Sequence, residues 1–147
     1  MNYTELKKLV DRALDNLYTY DSELFSLDAS EWAIAHRLAV YLEHELPQNW
    51  NVDCEYNRQW SEGEAKKKGS GGKVRPDIVI HRRTLLEPEH NLLVIEVKKR
   101  EADVDLKRAC EFTKQPKGDR KFQYQYGLSL SVLDRSKPRW FKGGNPL

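Results

Sequence analysis

Leu92-Leu93-Val94-Ile95-Glu96-Val97-Lys98-Lys99 decides how this chain is read. The stretch has strand character, and it is apolar enough to be a central, buried strand. Successive side chains of a strand point to opposite faces. Leu93, Ile95 and Val97 therefore share one face, and Leu92, Val94, Glu96 and Lys98 share the other. A strand fit for the interior thus ends by placing a carboxylate and an ammonium on one side. An isolated Glu-x-Lys at a strand end is a common and inert surface pair, so the neighbouring sequence has to settle its meaning.

The run before it, Asp77-Ile78-Val79-Ile80-His81-Arg82, is a second strand, with Asp77, Val79 and His81 on one face and Ile78 and Ile80 on the other. A turn-like stretch with Pro88, His90 and Asn91 separates the two runs. If they pair as a hairpin with His81 across from Leu92, then Val79 faces Val94 and Asp77 faces Glu96. Directly opposed residues lie about 5 Å apart at Cβ, and two carboxylates held that close repel unless a cation or a proton lies between them. A hard divalent ion with oxygen ligands fits such a gap. Mg²⁺ usually takes one or two carboxylates plus water and substrate phosphate. Lys98 falls beside the same gap, where it could position an attacking water or offset charge developing on a phosphoryl group.

Outward from this pair, residues 4–19 read as an amphipathic helix behind Thr4 as N-cap, with Leu6, Leu9, Val10, Ala13, Leu14 and Leu17 inward. A second helix is expected at about 29–46 on Ile34, Ala35, Leu38 and Leu42, closed by Pro47. Val52, Cys54 and Tyr56 alternate with polar residues and predict a strand at about 51–59. Residues 61–75 are rich in Gly, Ser and Lys and predict a flexible basic loop, too short to link two domains. A third helix is expected at 103–114, with Leu106, Ala109, Cys110 and Thr113 on one face. A strand follows at 122–133 on Phe122, Tyr124, Tyr126, Leu128, Leu130 and Val132, and Trp140 and Phe141 suit a short edge strand. Three strands joined by loops suggest an antiparallel meander, and the helix before the fourth strand suggests a crossover to a parallel neighbour. The expected fold is α/β: a mixed sheet of four to five strands with helices on its faces, as a single domain over 1–147.

Composition narrows the function classes. The 147 residues are 33% charged and 39% hydrophobic, the balance of a globular protein. No apolar run approaches the roughly 20 residues that span a bilayer, and the N-terminal residues lack the segments of a signal peptide. Cytoplasm is the expected compartment, with no membrane partner. Cys54 and Cys110 form no Cys-x-x-Cys pair and the four histidines are scattered, which argues against a zinc site. The net charge is only +2, but Lys66-Lys67-Lys68, Lys73, Arg75, Arg82-Arg83, Lys98-Lys99-Arg100 and Lys107-Arg108 form clusters suited to phosphate contact, or to a solvated surface.

Glu31 admits two readings. It lies in line with Leu38 and Leu42 on the apolar stripe of the second helix, where a carboxylate needs a partner. Equally, Asp28 and Glu31 have the spacing of a capping box.

Taken in order, Glu31, then Arg75-Pro76-Asp77-Ile78-Val79-Ile80, then Val94-Ile95-Glu96-Val97-Lys98 resemble the PD-(D/E)XK nuclease superfamily. The resemblance runs from the second helix through the strand at 122–133. It implies a restriction-endonuclease-like, three-layer α/β/α sandwich with an αβββαβ core, and Mg²⁺-dependent phosphodiester hydrolysis in which Mn²⁺ can substitute. Asp77, Glu96 and the main-chain carbonyl of Val97 would bind metal, Lys98 would orient or activate the water, and Glu31 would be an auxiliary ligand or an orienting group. The expected partner is nucleic acid, DNA foremost. Lys66, Lys67, Lys68, Lys73, Arg75 and Lys107 are its candidate contacts, and a homodimer is expected if both strands are cut in concert. Tyr124 and Tyr126 could touch bases but suit the core better, and His36 and His81 could serve as bases but read as structural or surface residues. The competing function is a non-catalytic nucleic-acid-binding subunit that retains the nuclease fold.

Overall fold

A computed structural model describes residues 1–56, 75–85, 87–100, 103–117, 122–135 and 137–147. Elements follow in the order α1 (Tyr3–Tyr20), α2 (Glu23–Ser26), α3 (Glu31–Glu45), β1 (Asn51–Cys54), β2 (Ile78–His81), a 3₁₀ turn (Pro88–His90), β3 (Asn91–Lys98), α4 (Asp103–Glu111), β4 (Tyr126–Ser131), β5 (Arg139–Lys142) and β6 (Asn145–Pro146). The chain is mixed α/β, and the strands form one sheet in sequence order. β1, β2 and β3 are the expected antiparallel meander, and β3 and β4 are parallel, with Glu96 beside Ser129 and Lys98 beside Ser131.

The sheet has six strands rather than four to five. Gly143 and Gly144 both adopt positive φ, 58° and 83°, and turn the tail back so that Lys142 pairs Asn145 and Phe141 pairs Pro146. A two-residue hairpin loop needs that conformation, and glycine adopts it without steric cost.

Alternation divides the apolar residues between two clusters on opposite faces of the sheet. The larger joins α1 and α3 to Ile78, Ile80, Leu93, Ile95, Val97, Leu128 and Leu130. The smaller joins Val79 and Val94 to Phe112, Phe122, Tyr124 and the partly buried Tyr56. Three expectations are corrected here. Glu55, at φ 48°, turns the chain after β1, so Tyr56 packs on the opposite face from Val52 and Cys54. The run from Phe122 to Val132 is not one strand: β4 begins at Tyr126, and Phe122 and Tyr124 cover the other face. The N-cap of α1 is Asn2, not Thr4, in a reciprocal capping box with Glu5.

The register of β2 and β3 fixes the rest. Val79 pairs with Val94 and Ile78 with Ile95; the ladder ends there, with Asp77 immediately before β2 and Glu96 next after Ile95 on β3. The expected His81–Leu92 pair is displaced to His81–Asn91 by an irregularity between Ile80 and His81. α4 lies over this face at very close range. A Cβ on Gly127 of β4 would fall 2.3 Å from the Ala109 carbonyl oxygen.

Candidate functional site

Five charged side chains meet where β2 begins and β3 ends: Glu31, Asp77, Glu96, Lys98 and Arg108. β3 supplies Glu96 and Lys98 by alternation. Glu96 is fully buried, while Lys98 stands at the strand end and is partly exposed. Asp77 precedes β2, and its Oδ2 accepts a hydrogen bond of 2.7 Å from the Val97 amide, one step beyond the last ladder pair. The carboxylate thereby satisfies a donor that the shortened strand leaves behind.

α3 reaches the site through its first residue. Ser30 caps the helix, its Oγ accepting from the Ala33 amide at 3.2 Å. Glu31 is therefore the first helical residue and not the acid of a capping box with Asp28, which corrects that reading. Its Oε2 accepts from Lys98 Nζ at 2.9 Å and its Oε1 from the Lys99 amide at 3.1 Å. Asp28 instead accepts from Lys99 Nζ, at 2.6 Å on its side chain and 3.1 Å on its carbonyl. These contacts clamp the start of α3 to the end of β3.

Arg108, on α4, was expected only as part of a basic cluster and not as a partner of the acids. Its guanidinium lies 3.2 Å from Glu96 Oε2 and also donates to the Arg75 carbonyl at 3.3 Å. The neighbouring Lys107 is exposed. A signal for Arg108 existed: it stands one turn before Phe112, which is buried against the sheet, so Arg108 shares that inward face.

Electrostatics separates the acids. Burial raises the Asp77 pKa, helped by the charge of Glu31 and opposed by the Val97 amide, Lys98 and Arg108. Burial also acts on Glu31, but the hydrogen bonds from Lys98 and the Lys99 amide, with the charges of both lysines, outweigh it and lower its pKa. One carboxyl thus resists ionisation while its neighbour is held ionised, the kind of divergence that clusters at functional sites.

The other expected residues lie apart. Lys66, Lys67, Lys68 and Lys73 fall outside the described residues. Arg75 is exposed, and its carbonyl accepts from Arg108. Tyr124 and Tyr126 are buried, as their core reading expected. His36 is exposed and stacks on Trp32, with ring centroids 6.1 Å apart. His81 is buried, with Nε2 2.8 Å from Asp53 Oδ2.

Comparison with protein-family models, curated proteins and solved structures finds no match for the chain. Among the described residues, no three His, Cys, Asp or Glu side chains converge closely enough to hold a metal ion, and no helix is long and apolar enough to cross a membrane. The donor set suits a hard cation in a narrower sense: Asp77 and Glu96 supply carboxylate oxygens at neighbouring strand ends, and Mg²⁺ needs only one or two.

Proposed function

We propose that this chain is a metal-dependent nuclease of the PD-(D/E)XK type, a DNA endonuclease on a three-layer α/β/α sandwich with a restriction-endonuclease-like core. The observation that supports the reading is the charged cluster where β2 begins and β3 ends: Asp77 lies within reach of the charges of Lys98, Arg108 and Glu31, and Arg108 lies 3.2 Å from Glu96 Oε2. Asp77, Glu96 and the Val97 carbonyl would hold the Mg²⁺ or Mn²⁺ ion. When bound, the ion supplies positive charge to the attacked phosphodiester. Lys98 positions the attacking water and offsets charge on the phosphoryl oxygens. Glu31 fixes the lysine ammonium at 2.9 Å, so it acts through Lys98 as a positioning residue. Arg75 and Lys107, with the lysines of the 61–75 segment, are the proposed contacts to the nucleic-acid backbone, and a homodimer would allow both strands to be cut together.

A second reading, a non-catalytic nucleic-acid-binding subunit, draws on a different observation. The acids already have partners in the folded chain: Glu31 accepts from Lys98, Asp77 accepts from the Val97 amide, and Glu96 has the charge of Arg108 beside it. One experiment separates the two. Plasmid, linear duplex and single-stranded DNA, and single-stranded RNA, are incubated with Mg²⁺, Mn²⁺ or EDTA, using wild type, Asp77→Ala, Glu96→Ala and Lys98→Ala. Metal-dependent cleavage lost in all three folded variants supports the nuclease. Nucleic-acid binding without cleavage of any substrate supports the subunit.

A further inference from the structure

Arg108 and a divalent cation would need the same carboxylate. Glu96 is 0% exposed, and a carboxylate so buried is stable in its charged form only with a counter-charge close by. Arg108 supplies that charge at 3.2 Å from Oε2. Yet the arginine is not itself locked in the interior. Its side chain is 36% exposed, and it also donates to the main-chain carbonyl of the exposed Arg75. The guanidinium can therefore leave Glu96 and remain solvated, whereas Glu96 cannot follow it.

We propose that Arg108 is the resident counter-ion of the site, and that metal binding proceeds by exchange: the cation takes Glu96 and the guanidinium is released towards Arg75 and solvent. This rests on the nuclease reading above and adds a regulatory property to it. Two cations beside one carboxylate repel, so Arg108 raises the metal concentration at which the site fills and keeps the metal-free fold intact until then.

The test uses Mn²⁺ alone, by calorimetric titration and by thermal melting, on the full chain. Arg108→Gln should bind Mn²⁺ about tenfold more tightly than wild type or better, because the competing cation is gone. Its metal-free form should melt lower, and saturating Mn²⁺ should raise its melting temperature more than it raises that of wild type. Arg108→Lys, which keeps the charge, should fall between the two, and it covers the case in which the glutamine variant does not fold. Nitrogen-15 NMR of wild type should show the Arg108 guanidinium signal move on adding Mg²⁺. Mn²⁺ binding that is unchanged or weaker in both variants, or an Arg108 signal unmoved at saturating Mg²⁺, overturns the exchange alone. No Mn²⁺ binding by wild type or variants removes the nuclease reading and the exchange with it.

Discussion

Gly127→Ala is the sharpest test of how the helix that carries Arg108 is held. The added Cβ would stand 2.3 Å from the Ala109 carbonyl oxygen and 3.0 Å from Thr113 Cγ2, against an ordinary contact of 3.4 Å or more. The helix must therefore withdraw by about 1 Å at this point, and a backbone carbonyl cannot rotate out of the way as a side chain can. Overpacking of this kind costs about 1–3 kcal/mol, and a backbone clash belongs at the upper end. Alanine also restricts the unfolded chain, which offsets at most about 1 kcal/mol. The net loss is about 2 kcal/mol. With an unfolding entropy of about 2.1 cal/mol/K per residue over a chain of this length, the melting temperature should fall by about 6 °C. Differential scanning calorimetry of the metal-free protein measures this directly. A variant melting within about 1 °C of wild type would refute the close approach of α4 to β4, and with it the stated position of Arg108.

Two further substitutions probe the acids. Burial favours protonated Asp77 in the native state, so its contribution to stability is present below the unfolded carboxylate range and is lost as pH rises through the raised native value. Metal-free Asp77→Asn should therefore melt at or above wild type at pH 7, since asparagine can still accept from the Val97 amide, and the difference should vanish near pH 3. Saturating Mn²⁺ should raise only the wild type, by RT ln(1 + [L]/Kd), about 1.4 kcal/mol at ten times Kd. A metal-free variant well below wild type at pH 7 would contradict the burial cost. Asp53 has the opposite sign: burial acts against its ionisation, but hydrogen bonds from His81 and Arg83 outweigh it and hold its carboxyl well below the usual range. Its stabilisation is complete above the unfolded value and lost only as pH falls through the depressed one. Asp53→Asn should cost about 1.5–3 kcal/mol in urea unfolding at pH 7 and pH 5, and a loss confined to pH 7 would count against the pairing.

The strands were legible where apolar residues ran unbroken. Ile78–Ile80 and Leu93–Ile95 are apolar at every position, the mark of strands buried on both faces, but such a run does not choose its own register, which had to be assumed and which the structure supplies. Legibility ended where backbone geometry intervened. Glu55 at positive φ moved Tyr56 to the other face, and the irregularity beside His81 shifted its partner from Leu92 to Asn91. Neither departure changes the residue types, so a pattern of apolar and polar residues does not register it. The two-glycine turn before β6 did leave a mark, in Lys142-Gly143-Gly144-Asn145, but a strand of two residues is too short to show alternation.

The candidate site was legible in its parts and not in its pairing. Opposed Asp77 and Glu96 raised the question of what cation lies between them, and strand logic alone suggested only an ion from solution. The fold supplies a second cation, from a helix whose inward face was read through Ala109 and Thr113 and not through Phe112. A charged residue on an apolar face is easily discounted, because burial of an unpaired charge is costly. Here the dependence runs one way: Arg108 on α4 keeps contact with solvent, and its charge makes the position of the fully buried Glu96 on β3 tenable. A buried pair seldom adds net stability relative to apolar residues of the same size, yet losing one partner is expensive. That asymmetry bears on function. A fold that needed only packing at this point would be as stable with two apolar side chains, whereas a site that must admit a divalent ion needs the carboxylate, and the carboxylate needs a partner until the ion arrives.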